Sequence, residues 1–123
     1  MENIGLLLGT LMQSRNQAHV YHLQATGPGS HAAHLALQAY YEDIVPLVDA
    51  LAEGWQGRYG IITGYNMAGT IKEDGNAVAY FETLCKFVEV IRKQIPQDSY
   101  IQNQVDEVVS LIETTKYKLI NLQ

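Results

Sequence analysis

Strong helix breakers divide this chain into four segments, and each segment repeats its apolar residues at the period of an α-helix. The breakers are the Gly27-Pro28-Gly29 tripeptide, a glycine-rich stretch from 58 to 75, and Pro96. The chain is therefore predicted to be all-α, a single four-helix-bundle domain over residues 1–123.

The spacing predicts helices over about 3–25, 31–57 and 76–94, and a fourth helix that begins at Ser99. Ser30 is predicted to cap the second helix. Capping-box patterns predict a short turn at 70–73 and a Ser99–Gln102 box at the start of the fourth helix. Pro46 lies inside the second helix, where its ring is expected to cause a kink. The long connection between helices two and three is long enough to cross the bundle, as in ferritin-like folds.

Charge and cysteine content narrow the classes of partner and compartment. The formal net charge of −5, with no lysine cluster at either terminus, disfavours direct binding to nucleic acid. The single cysteine, Cys85, cannot form an internal disulfide, which fits a reducing compartment. The apolar run Leu6–Leu8 is too short for a signal peptide core or a membrane span. A cytoplasmic protein that does not bind membranes is expected.

The second helix carries two different faces. We count 100° per residue around the helix axis from His34. Asp49 then lies at about 60° and Glu53 at about 100°, so the three residues share one side of the helix. Imidazole and carboxylate together are ligands for iron, manganese or zinc. A separate apolar stripe, centred near about 270°, is predicted to form the core: Ala33, Leu37, Tyr40, Ile44, Leu47, Val48, Leu51 and Trp55. The candidate ligands therefore point away from the core.

The rise of the helix decides how these ligands meet. His34 and Asp49 are fifteen residues apart, so about 22 Å separates them along the axis and they do not hold one metal within one chain. Two copies of the helix packed antiparallel about a two-fold axis near Glu42 and Asp43 bring His34 of one chain to Asp49 and Glu53 of the other. Apolar contact in such a homodimer comes from Tyr41, Val45 and Ala52.

This register of polar residues resembles the Dps miniferritins, the DNA-binding proteins from starved cells. The resemblance is close from about 17 to 60 and extends to the other helices only as a pattern. The matching positions are His22, Gly27, His34, Tyr41, Asp49 and Glu53. The chain also looks like small ferritin-like proteins of tailed phages, particularly at 17–19 and 56–60, which implies the host cytoplasm if it is phage-encoded.

The resemblance implies an iron-binding protein that oxidises Fe(II) and sequesters the Fe(III) product, a ferroxidase-type oxidoreductase if the metal site is active. The metal ligands are then His22 and His34 from one subunit and Asp49 and Glu53 from its partner. Zinc and manganese are alternative metals. A homodimer or a larger assembly of such dimers is expected, because the site needs both subunits.

Two departures from the family pattern leave a second interpretation open. Leu23 replaces the aromatic residue that usually follows the first histidine, and Gly54 replaces the basic residue after the glutamate. The alternative is a non-enzymatic, phage-type protein that sequesters a small nucleotide-like ligand at a subunit interface. Candidate anion-binding groups in or beside the glycine-rich connection are Arg58, Tyr59, Tyr65 and Lys72. His19 and His31, each three residues before a candidate ligand, are open between surface and accessory roles.

Overall fold

A computed structural model describes residues 2–67 and 69–122 and has four α-helices in that part of the chain, with no strand. The helices are α1 (Glu2–Leu23), α2 (Ser30–Tyr59), α3 (Ala77–Ile91) and α4 (Ser99–Asn121). A 3₁₀ turn at Arg92–Gln94 follows α3 directly. The predicted all-α class is confirmed, and α2 extends two residues beyond the predicted end.

The helices pack in a ring in which α2 lies between α1 and α4, and α3 closes the ring against α4 and α1. Contacts between neighbours give their directions. In α1 and α2, His22 meets His34 while Ser14 meets Tyr40, so the two helices are antiparallel. In α3 and α4, Cys85 donates to Glu113 while Arg92 donates to Gln102, which is the same antiparallel arrangement.

The core is mostly apolar, and a small hydroxyl network joins Tyr40 and Ser14 within it. Tyr40 is fully buried, and its ring packs edge-on against Phe81 at 4.8 Å between centroids. Its hydroxyl lies 2.6 Å from Ser14 Oγ, which in turn donates to the Leu11 carbonyl. The predicted core stripe of α2 is confirmed. Its members Leu37, Tyr40, Ile44, Val48, Leu51 and Trp55 are buried, and Ala33 and Leu47 are half-buried at its edges.

The start of α2 differs from the prediction that Ser30 caps it. Gly29 is the N-cap, with φ of 78° in the left-handed region, and Ser30 is already helical. Gly27 also has a positive φ, and the turn is closed by Ser30 N donating to the Gly27 carbonyl at 3.1 Å. Two glycines in the left-handed region make the turn tight enough to need no side-chain cap. Pro46 lies inside α2, as predicted.

The predicted Ser99–Gln102 capping box is also wrong. Asp98 is the N-cap of α4, and its carboxylate accepts from the hydroxyls of Tyr59 and Tyr100 rather than from a backbone N–H of the helix. The Gln102 amide donates instead to the carbonyls of Arg92 and Pro96, and its oxygen accepts from the Arg92 guanidinium. These carbonyls lie where α3 ends and have no partner in the helix, so they compete successfully for the amide.

The connection between α2 and α3 runs in extended form along α1. Asn66 N donates to the Gly5 carbonyl near the start of α1, at 3.1 Å. Further along, the Gln17 amide makes two hydrogen bonds to the backbone of Lys72, at 2.7 and 2.8 Å. Near the end of α1, the Tyr21 hydroxyl donates to Asp74. The connection therefore travels the length of α1, and α3 starts at the end of the bundle where α2 starts.

The helical turn predicted at 70–73 does not form. Gln17 takes both backbone groups of Lys72, so a side chain of α1 replaces the internal hydrogen bond that a turn would make.

Two glycines of α1 let the connection approach closely. A Cβ on Gly5 would collide with the carbonyl oxygen of Gly64, and a Cβ on Gly9 would collide with the carbonyl oxygen of Asn66. Both obstructions are backbone, which cannot rotate away as a side chain does. The segment 64–66 therefore requires glycine at both positions of α1.

Replacing Gly9 with alanine tests this packing. We expect Gly9→Ala to lower the free energy of unfolding by about 2 kcal/mol, because the connection must move away from α1. The matched control is Gly57→Ala, inside α2 with open space around the new Cβ. That substitution is expected to raise the free energy of unfolding by about 1 kcal/mol. Urea unfolding measures both, and equal effects of the two substitutions would contradict the packing argument.

Candidate functional site

His22 and His34 form a stacked pair where α1 ends and α2 begins. Their ring centroids lie 3.6 Å apart with 23° between the planes. The Nδ1–H of His22 donates to the His34 carbonyl at 2.8 Å, and the Nδ1–H of His34 donates to the His22 carbonyl at 3.1 Å. The twelve-residue spacing of the sequence thus becomes a reciprocal pair of ring-to-backbone hydrogen bonds.

These hydrogen bonds fix the chemistry that the pair offers. Because a carbonyl only accepts, each neutral ring must carry its proton on Nδ1, and the Nε2 lone pair is left unused. Neither Nε2 has a hydrogen-bond partner among the described residues. Neither of these nitrogens is a fully buried atom, so the missing partner leaves no buried polar group unsatisfied. A histidine that ligates a metal typically holds its other nitrogen in this way, often on a backbone carbonyl. The pair is therefore oriented as metal ligands are.

An aromatic and cationic group continues from this pair along the outer side of α1 and α2. Tyr41 stacks on His19 at 4.5 Å and meets His22 edge-on at 5.3 Å. The Arg15 guanidinium lies 5.3 Å from the centre of the Tyr41 ring, a cation–π distance. Both Tyr41 and His19 thus contact the imidazole of His22, in addition to His34.

Arg15 is the member of this group that sequence analysis missed. Its spacing of four residues before His19, and seven before His22, puts all three side chains on one face of α1 and is the signal that would have found it. His19 belongs to this group, with its ring centroid 6.0 Å from that of His22. His31 is exposed and forms no ring contact with these residues.

Asp49 and Glu53 lie far from the histidine pair within the chain, as the helical rise predicts. Both are exposed, and neither forms a hydrogen bond or ion pair with the described residues. Over 2–67 and 69–122, no three side chains of histidine, cysteine, aspartate or glutamate come together as a metal site. One protomer therefore presents the histidine pair and the carboxylate pair as two separate halves.

The surface between the two halves is partly apolar. Val45 is 46% exposed and Leu35 is 50% exposed, so two large aliphatic side chains face solvent here. Tyr41 and Ala52 are half-buried on the same side of α2. We refer to this side of α2, from His34 to Glu53, as the outer face.

The candidate anion-binding residues do not form one site. Arg58 and Tyr59 lie at the end of α2, where both contact Asp98: the guanidinium at 3.9 Å and the phenol by a hydrogen bond. Lys72 lies far along α1, with its backbone bound to Gln17. Tyr65 is 40% exposed beside the start of α1. The cation at the end of α2 therefore lies beside a carboxylate, and no other cation or tyrosine of this set joins it there apart from Tyr59.

Cys85 is half-buried between α3 and α4, where its thiol donates to Glu113. Burial and this carboxylate raise the pKa of Cys85 to about 11, so the thiol stays protonated at neutral pH. The cysteine is accordingly part of the packing between these helices.

Among the described helices, none is both long and apolar enough to cross a membrane. The family comparison covers most of the bundle: a family model matches residues 22–119. The chain belongs to DUF5856, a family of unknown function. The match begins at His22 and includes His34, Asp49 and Glu53, and the DUF5856 description carries neither a function nor a link to Dps. No curated protein and no solved structure shows a significant match to the chain.

The tautomer of the histidine pair is directly measurable. In ¹⁵N-labelled protein near pH 8, we expect both His22 and His34 to show a protonated Nδ1 and an unprotonated Nε2. Exposed His31 serves as the internal control and is expected to show the Nε2–H tautomer that dominates in free imidazole side chains. An Nε2–H tautomer at either paired ring would mean that its hydrogen bond to the backbone does not form.

Proposed function

We propose that this DUF5856 chain is a Dps-like miniferritin subunit that oxidises Fe(II) and sequesters the Fe(III) product. The site consists of His22 and His34 from one protomer and Asp49 and Glu53 from its partner. The observation that supports it most strongly is the reciprocal hydrogen bonding of the two imidazoles, which leaves both Nε2 atoms available. Among the described residues of the same protomer, no cluster of three potential ligands forms around them.

The course of the chain supports the ferritin-like part of this proposal. The extended connection follows α1 from Gly5 to Tyr21, so α2 and α3 run in the same direction. A long crossover between the second and third helices distinguishes ferritin-like bundles from bundles with short loops throughout.

A two-fold axis across the outer face joins the two halves of the site. With the axis near Glu42 and Asp43, antiparallel α2 helices set the histidine pair of each protomer against Asp49 and Glu53 of the other. The exposed side chain of Val45 lies close to the axis, where contact between protomers removes it from water. Two identical sites result, each about 13 Å from the axis along the helix.

The residues have separate tasks in the reaction. The neutral imidazoles bind Fe(II) through Nε2 without adding charge. Each ferrous ion gives one electron to a dissolved oxidant, dioxygen or peroxide, and gains one positive charge. The carboxylates of Asp49 and Glu53 compensate that charge, which favours the ferric product. Because Asp49 and Glu53 are four residues apart on one helix, their carboxylates repel each other. A cation bound between them relieves this repulsion.

The nucleotide-binding alternative has no comparable support. Arg58 and Tyr59 already contact Asp98, and Lys72 lies elsewhere on the surface, so these residues do not converge on one ligand. We therefore do not propose that function.

The experiment is aerobic Fe(II) oxidation by the double variant Asp49→Ala with Glu53→Ala. Both side chains are exposed and neither lies in the core, so the variant is expected to keep the helix content of the parent. The initial rate is expected to fall at least about tenfold, because a metal site usually loses that much even when an outer partner of a ligand is removed.

A second double variant controls for the loss of charge. Glu82→Ala with Glu107→Ala removes two exposed carboxylates from α3 and α4 and is expected to oxidise iron at the parental rate. If the Asp49/Glu53 variant matches this control, or if the parent binds no transition metal at neutral pH, the proposed function is wrong.

A further inference from the structure

A cleft lies on the other side of α1 from the histidine pair, between α1, the connection and α3. Its volume is about 400 Å³, which is large enough for a small organic molecule. Side chains from all three elements line it, among them Thr10, Lys72, Asp74, Tyr80, Thr83 and Phe87.

The wall formed by α3 is apolar. Leu84 is buried there, and Phe87 and Tyr80 are half-buried with ring surface on the cleft. The Tyr80 hydroxyl makes no hydrogen bond with the described residues. Burial raises the pKa of Tyr80 well above the usual value for a phenol, so the group is a neutral donor or acceptor at physiological pH.

The end formed by the connection carries one charge of each sign. The backbone of Lys72 is bound to Gln17, which anchors this exposed residue at the lining of the cleft. Asp74 accepts through Oδ1 from the Tyr21 hydroxyl and from Asn76 N, and no other side chain of the described residues donates to its Oδ2.

These two charges are near each other without pairing. The hydrogen bond from Asn76 N, that from Tyr21, and the positive charge of Lys72 together lower the pKa of Asp74. The Lys72 ammonium nevertheless lies more than 4 Å from the Asp74 carboxylate oxygens, so the two groups form no ion pair. Both charged groups are thus available to a ligand.

We propose that this cleft binds a free α-amino acid with an apolar, ring-bearing side chain. The ammonium of Lys72 takes the ligand carboxylate, Asp74 Oδ2 takes the ligand ammonium, and the ring lies on Tyr80 and Phe87. An anion without a positive group is attracted by Lys72 but repelled by Asp74. A cation without a negative group is attracted by Asp74 but repelled by Lys72. A zwitterion satisfies both, and the apolar wall accounts for the rest of the molecule.

The cleft is separate from the proposed iron site. Thr10 and His19 are nine residues apart on α1, which is about 180° around the helix axis. The proposal therefore stands or falls independently of iron oxidation.

Titration of the ¹⁵N-labelled full chain with L-phenylalanine tests the proposal. We expect saturable shifts of amide signals around the cleft, with a dissociation constant on the order of 1 mM for a ligand this small. Thr83→Trp, which fills the cleft from an exposed position on α3, is expected to abolish the shifts. Thr114→Trp, at an exposed position of α4 away from the cleft, is expected to leave them unchanged.

A second variant and two analogues test the charges. Lys72→Met is expected to weaken binding at least about tenfold, while Lys86→Met, also exposed but outside the cleft lining, is expected to have no effect. 3-Phenylpropionate lacks the ammonium and phenethylamine lacks the carboxylate, so each should bind at least about tenfold more weakly than L-phenylalanine. Absence of saturable shifts with L-phenylalanine, retained binding by Thr83→Trp, or equal binding of either analogue overturns the proposal.

Discussion

The close approach of the connection to α1 is the constraint on which the arrangement of this bundle depends. At Gly5 and Gly9 the backbone of 64–66 lies where any Cβ would be, so helix and connection share a surface with no side chain between them. Gln17 and Tyr21 continue this attachment further along α1. Since the connection is held along the whole helix, α3 must begin at the same end as α2. The gap between α1 and α3 follows from the same geometry, because the connection passes over it.

With the connection on the far side of α1, the outer face of α2 is left uncovered. One side of this helix is fully occupied by the core, from Leu37 to Trp55, and the other carries the histidine and carboxylate halves of the proposed site. The histidine half is rigid because each ring donates a hydrogen bond to the backbone carbonyl of the other histidine. The carboxylate half is solvated and unpaired, as expected for groups whose proposed partner is a cation held by a second protomer.

Helical periodicity predicted the four helices and the core of α2 well, because burial on one side of a helix is a property of local sequence. The same arithmetic placed Asp49 away from the core, and Asp49 is exposed. Predictions failed where a distant residue competes for a backbone group. Gln17 takes the backbone at 72 that a turn would use, and Gln102 binds carbonyls of the preceding segment instead of capping its own helix. Neither competitor is visible in a local pattern. The stacking of Tyr41 on His19 likewise depends on how deeply two helices interlock.

The central claim is that each site takes its histidines from one protomer and its carboxylates from the other, and mixing two inactive variants tests it most directly. His34→Ala and the Asp49→Ala, Glu53→Ala double variant are each expected to be inactive in Fe(II) oxidation. When the two are unfolded and refolded together in equal amounts, half of the dimers are mixed, and each mixed dimer has one complete site. The mixture should then regain about a quarter of the parental rate. A mixture no more active than the two variants measured separately would contradict a site shared between protomers.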